Sequence, residues 1–197
     1  MTDSAIESPR ERRIAETSRR LRAEARRLTA ERGLSGFTVE EVCALAGVSR
    51  RTFFNYFASK ENAVLGIHLR TDTSDLDDAF VASPSALLEA LAELHIARWE
   101  RMDMSPAEAP AIAAAFEREP GLVRHLLDLT AEDERADIVL VQRRQGWDAG
   151  DPRAAVAVQL LGALMRPTVT DYFEGPDEVF RTLFLRRLEA AHRLFLP

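Results

Sequence analysis

The sequence predicts an all-α chain: an N-terminal three-helix domain carrying a helix-turn-helix, joined to a larger C-terminal helical domain. Three observations point there. Alanine, leucine, arginine and glutamate dominate the 197 residues, and valine and isoleucine do not alternate in strand-like runs, a balance that favours helix. Apolar residues recur at three- and four-residue spacings through most of the chain. Two short segments with helix-capping signals flank a single glycine, Gly47.

Taken in order, residues 1–12 lack apolar periodicity and contain Pro9, which reads as a flexible arm. From Arg13, the residues Ile14, Leu21, Ala25 and Leu28 fall on one helical face, while Arg19, Arg20, Arg22, Arg26 and Arg27 occupy the remaining surface. Gly33 closes this helix. Thr38 with Glu41 three residues on is a capping box for a short helix, Val39–Ala46. Gly47 provides a left-handed turn, and Ser49 caps a second short helix, Arg50–Phe57. Two capped helices of under ten residues around a glycine turn make a helix-turn-helix. Val42, Ala46, Val48, Phe53 and Tyr56 lie at its inward positions, and Cys43 is small enough for a close crossing.

Ser59 caps a further helix through Ala63, Val64 and Ile67. The polar run Thr71–Ser83 reads as a loop or a frayed helix end, which divides the chain into an arm (1–12), a helix-turn-helix domain (13–70) and a helical body (71–197). Proline, glycine and aspartate signals split the body into helices near 84–102, 106–117, 119–129, 131–146, 152–173 and 176–195.

Composition narrows the function classes. With 46% hydrophobic residues the chain is long enough for a sizeable core. Its single cysteine excludes an intramolecular disulfide and a cysteine-based zinc cage, and fits a reducing, cytoplasmic setting. No apolar run approaches the length of a membrane-spanning helix, so no membrane partner is expected. The net charge of −6 conceals an asymmetry: residues 1–60 hold 12 Lys+Arg against 8 Asp+Glu, and the remainder 14 against 24. A basic head on an acidic body places a polyanion at the head alone. Of the 26 basic residues 25 are arginine; the exception is Lys60.

The run Thr38–Glu61, Thr-Val-Glu-Glu-Val-Cys-Ala-Leu-Ala-Gly-Val-Ser-Arg-Arg-Thr-Phe-Phe-Asn-Tyr-Phe-Ala-Ser-Lys-Glu, resembles the N-terminal signature of the tetracycline-repressor (TetR) family, most distinctively from Thr52 onward. The resemblance implies a transcriptional regulator, commonly a repressor, whose second helix-turn-helix element enters the major groove of operator DNA. Mapped onto this chain it makes Arg50, Arg51, Thr52 and Asn55 the candidate base readers, with arginine suited to guanine and asparagine to adenine. It makes Thr38, Ser49, Tyr56 and Lys60 the candidate phosphate contacts. Two positions depart from the commoner pattern. Arg51 stands where many relatives have glycine and adds either a base or a phosphate contact. Phe54 stands where they have tyrosine, and without a hydroxyl it is left with apolar contact to the DNA or with packing.

The resemblance also implies a homodimer through the last two helices, and the sequence fits: Ala154–Met165 is apolar nearly all round, and a broad apolar stripe runs from Val179 to Phe195. The middle helices are expected to enclose a pocket for a small apolar effector. The candidate lining is Trp99, Met102, Phe116, His125, Leu129, Trp147, Met165 and Tyr172, with Met104, Leu126, His95 and Arg98 as further possibilities; for each large residue taken singly, ordinary core packing is the stronger account. A kink at Pro167 would lie beside that space. No glycine-rich phosphate loop, nucleophile elbow or metal-ligand spacing occurs, so neither enzyme activity nor a cofactor is expected.

Overall fold

The computed structural model describes residues 9–69, 73–175 and 178–195. They are helical with no strand among them, as the composition indicates. The ten α-helices are α1 (Pro9–Arg32), α2 (Val39–Ala46), α3 (Arg50–Tyr56), α4 (Lys60–Leu65), α5 (Ser74–Ala82), α6 (Leu87–Met102), α7 (Ala109–Arg118), α8 (Gly121–Gln145), α9 (Pro152–Glu174) and α10 (Phe180–Phe195). Short 3₁₀ turns occupy Leu34–Gly36 and Pro106–Glu108. The chain divides into two compact units, one from Met1–Leu69 with Pro110–Val123 and one from Arg70–Ala109 with Arg124–Pro197. The segment Pro110–Val123, which the sequence places in the C-terminal body, therefore groups with the helix-turn-helix.

In the first unit α1 packs on α2 and α4. It starts at Pro9, four residues before the expected start: a proline is tolerated in the first helical turn because its missing N–H would have no partner there. Residues 9–12 of the expected arm are thus helical, and residues 1–8 lie outside the described residues. Leu21, Ala25 and Leu28 are fully buried, whereas Ile14, expected beside them, is exposed.

Two arginines assigned to the solvent face of α1, Arg22 and Arg26, are instead fully buried. Arg26 Nε donates to the carbonyl of Val64 at 2.7 Å, in the last turn of α4. Carbonyls there lack intrahelical donors and carry the negative end of the helix dipole, so a guanidinium is stabilised at that point. Arg22 donates to Ser18 Oγ at 3.1 Å, and Ser18 shares a 2.7 Å hydrogen bond with His68 Nε2.

His68 stacks on Phe57 with ring centroids 5.1 Å apart. Burial, reinforced by the charge of Arg22, pushes its pKa down from 6.5 to about 4. A histidine harder to protonate when folded stabilises the fold at neutral pH, and that contribution disappears as pH falls from 6.5 toward 4, where the unfolded chain binds the proton first. The full loss is about 3 kcal/mol. Urea unfolding between pH 7 and 4.5 should therefore show a stability slope that flattens in His68→Gln; an unchanged slope would place the imidazole in water.

The connection from α1 into the helix-turn-helix turns on Gly33, at φ 73° and ψ 165°. This region is essentially restricted to glycine. A Cβ there would also lie 2.4 Å from Glu119 Oε1, the oxygen that accepts the Leu34 N–H at 2.7 Å. Glu119 belongs to the Pro110–Val123 segment, and this bond helps hold that segment to the unit.

In the second unit α5 and α9 pack on α6, and α10 packs on α6 and α9. Helix α5 corrects the expected loop or frayed end at Thr71–Ser83. Its acids look like loop composition but are used in pairs: Asp75 with Arg101 at 2.6 Å, Asp77 with Arg98 at 2.6 Å and Asp78 with Arg143 at 3.4 Å. Phe80 anchors the inner face. At the C-terminal end Arg144 donates to the carbonyls of Phe80, Ser83 and Ser85 at 2.6–3.0 Å, closing groups the helix leaves open.

The two helices expected near 119–129 and 131–146 are one, α8. Thr130, expected to divide them, donates its hydroxyl back to the Leu126 carbonyl at 2.8 Å, which satisfies a polar side chain without interrupting the helix.

Candidate nucleic-acid interface

The local chemistry that shapes the helix-turn-helix is complete. At the start of α2, Thr38 Oγ1 accepts the Glu41 N–H at 3.2 Å and Glu41 Oε2 accepts the Thr38 N–H at 2.8 Å. That backbone hydrogen bond, together with Arg32, holds the Glu41 carboxyl below its ordinary pKa. Gly47 ends α2 at φ 69° and ψ 35°, the left-handed conformation. Ser49 then accepts the Thr52 N–H at 3.0 Å, and the Ser49 and Thr52 hydroxyls share a 2.8 Å hydrogen bond.

Beneath this turn lies a closed core. Val42, Phe53 and Phe57 are fully buried, and Cys43 and Ala46 nearly so. Burial pushes the Cys43 thiol above its ordinary pKa, so it packs as a small apolar side chain. Tyr56, expected inside, is half-buried, as is Val48. Phe57, one residue on, is buried in its place, because α3 ends at Tyr56 and its C-cap turns Phe57 inward in extended conformation.

Opposite the core, α3 presents Arg50, Arg51, Phe54 and Asn55 to solvent. Their spacing of one, three and one residues lays them along a single helical face. Thr52 and Tyr56 sit at its margin, half-buried. Phe54 meets the buried Phe53 edge-on at 5.3 Å and lies 5.3 Å beneath the Arg50 guanidinium. An exposed ring anchored to the core in this way supports a neighbouring cation, so packing and contact with DNA are compatible roles for it.

Lys60 is placed differently from the other expected phosphate contacts. Its Nζ donates to the carbonyls of Leu34 at 2.5 Å and Phe37 at 2.8 Å, and lies 4.7 Å from the centre of the Phe37 ring. Two of its three N–H donors therefore close the turn between α1 and α2. Thr38 and Ser49 likewise cap their own helices while remaining exposed.

A cationic, largely exposed face on a short helix with a sealed core behind it has the form of a major-groove reader. A sequence model described as "Bacterial regulatory proteins, tetR family" matches residues 21–65. Over 166 residues, 76% of this chain and 70% of the relative, the sequence is 31% identical to the HTH-type transcriptional regulator TcmR of Streptomyces glaucescens. The chain belongs to the TetR family. A solved structure of a TetR-family regulator from Mesorhizobium loti MAFF303099 is 22% identical, with a TM-score of 0.46 over 93% of this chain and 96% of that one. As a TetR-family transcriptional regulator this chain is a DNA-binding protein, and none of its described helices is long and apolar enough to cross a membrane.

Two of the eight candidate effector-site residues pack on each other. Trp99 and Tyr172 join an aromatic cluster: Trp99 stacks on Phe180 at 4.4 Å and meets Tyr172 edge-on at 5.5 Å, and the Tyr172 hydroxyl donates to the Met104 carbonyl at 2.8 Å. Trp147 lies under the Arg153 guanidinium at 4.1 Å. Phe116 belongs to the first unit. Met102, His125, Leu129 and Met165 are half-buried. An open groove of about 310 Å³ in the second unit is lined by Leu88, Pro152, Arg153, Val156, Ala157 and Leu160, none of them among those candidates. Apart from Arg153 its lining is aliphatic and modest in size, so it carries no aromatic or sulfur signal in the sequence.

Proposed function

We propose that this TetR-family regulator is a homodimeric repressor that reads a pseudopalindromic operator through α3 and is released from it by a small apolar effector. The observation that carries the reading is the exposed α3 face of Arg50, Arg51, Phe54 and Asn55 on a sealed core. Arg50 and Arg51 suit guanine O6 and N7, Asn55 suits adenine N6 and N7, and Phe54 offers an apolar surface to a thymine methyl. Thr38, Ser49 and Tyr56 flank that face and can meet phosphates.

Dimerisation is supported by α9. Its inner face, Ala154, Ala157, Val158, Leu161 and Thr168, is buried, while Val156, Leu160, Ala163 and Pro167 run exposed along another side at spacings of four, three and four. Val156 and Leu160 are 53% and 39% exposed, an apolar edge that a second copy would remove from water. Much of the apolar stripe expected on α10 is consumed within the chain, with Phe180, Leu183, Phe184 and Leu188 buried. Leu185 and Leu194 are left for a partner. Effector control would act through differential affinity for two conformations of the body.

Selection of bound sequences from a random DNA pool tests the reading, with the protein and its Arg50→Ala and Arg51→Ala variants compared. Loss of a base reader should relax one position per half-site, at a cost of about 1–3 kcal/mol for the preferred base. Loss of a phosphate contact should weaken all sequences alike. Titrating the selected operator complex with lipophilic compounds then tests release, and a complete absence of response would leave a DNA reader without small-molecule input.

A further inference from the structure

The Arg50 side chain does not stand alone on the reading face. Its Nε lies 3.1 Å from Glu40 Oε1, on the first turn of α2, and its guanidinium carbon lies 5.3 Å above the Phe54 ring. Both members of the ion pair are open to solvent, at 66% and 60%. An isolated pair this exposed adds little to stability, so its consequence lies in where it holds the guanidinium.

An arginine can read guanine in two ways: side-on with Nε and one Nη, or end-on with both Nη groups. The Glu40 carboxylate stands beside Nε without taking a hydrogen bond from it, so it holds the guanidinium by charge and leaves the donors of both modes open to the base. Phe54, fixed edge-on to the buried Phe53, limits the guanidinium from the α3 side. We propose that Glu40 is a positioning and specificity-determining residue of the DNA interface: with Phe54 it holds the Arg50 guanidinium in place for recognition of one guanine in each half-site. This rests on Arg50 being a base reader, as proposed above.

The same carboxylate has a second effect. A negative charge at the edge of a DNA-binding face repels phosphates whatever the sequence. Glu40 therefore sharpens discrimination while lowering affinity for DNA in general, and a residue that merely stabilised α2 would do neither.

The test measures affinity at fixed salt for the selected operator, for every single-base variant of its half-site and for unrelated DNA. The proteins are wild type, Arg50→Ala, Glu40→Ala and Glu40→Gln, the last neutral and isosteric in case alanine loosens the helix. Arg50→Ala should reduce discrimination at one position by roughly ten-fold or more. Both Glu40 variants should reduce it at that same position by roughly three- to five-fold, the scale of a well-placed exposed ion pair. Their affinity for unrelated DNA should be equal to or above that of wild type. If Arg50→Ala relaxes a position and the Glu40 variants leave it intact, or if they weaken all sequences in parallel, the positioning role is overturned while Arg50 stands as a reader. If Arg50→Ala relaxes no position, the reading of Arg50 fails and this inference with it.

Discussion

Replacing Arg98 by methionine is expected to lower the unfolding free energy by about 3–5 kcal/mol, the cost of leaving a buried charge without its partner. Asp137, on α8, is only 2% exposed and receives two hydrogen bonds from Arg98 Nη1 at 2.9 and 3.0 Å. The other arm of the same guanidinium donates to Asp77 on α5 at 2.6 Å, so one side chain of α6 ties three helices together. His95 Nε2 lies 3.5 Å from the same aspartate. Burial lowers the His95 pKa, with Asp137 opposing the shift and the Arg98 charge reinforcing it. Converting Asp137 to leucine alongside Arg98→Met should recover most of the loss, because two apolar groups in place of a buried pair are often tolerated. Chemical denaturation of both variants measures this. A single-variant loss below about 1 kcal/mol would mean that water reaches the pair and screens it.

Lys60→Met is expected to cost about 2–3 kcal/mol, since hydrogen bonds to a charged donor each contribute more than neutral ones and two carbonyls lose theirs together. Lys60→Arg should rescue little. The Leu34 and Phe37 carbonyls converge on a single point at 2.5 and 2.8 Å from Nζ; a compact ammonium can fill that point, whereas a planar guanidinium needs acceptors spread across its plane. This gives a physical reason for lysine here in a chain whose other 25 basic residues are arginine. Thermal or urea unfolding measures the loss. The salt dependence of operator binding, taken under conditions where the variant is folded, then separates a turn-closing role from a phosphate contact: removing a phosphate contact reduces the slope by about one, and removing a structural tie leaves it unchanged.

What was legible in the sequence is what local chemistry decides. The Thr38–Glu41 box, the Gly47 turn and the Ser49 cap involve partners within about one helical turn, and the structure forms each of them. The exposed face of α3 was legible for the same reason, because helical periodicity separates Arg50, Arg51, Phe54 and Asn55 from Phe53. What escaped depends on distant partners. Arg22 and Arg26 carry the signature of a solvated face, and only the Val64 carbonyl, 38 residues away, makes the burial of Arg26 tolerable. The acids of α5 look like loop composition until their arginines arrive from α6 and α8. The Lys60 carbonyls lie 23 and 26 residues back along the chain. The effector-site candidates rest on bulk and polarizability, which suit a core as readily as a pocket, and the Trp99 and Tyr172 rings pack on each other and on Phe180.

The central claim is that two copies of α3 meet successive major grooves of one operator. Hydroxyl-radical and methylation footprints on the selected DNA, with the number of chains per duplex measured alongside, test it most directly. The account predicts two chains per duplex and two symmetric zones of major-groove guanine protection about 34–36 Å apart, roughly one helical turn, both weakened in Arg50→Ala and Arg51→Ala. A single protected groove occupied by one chain, or protection that survives both substitutions, would contradict it.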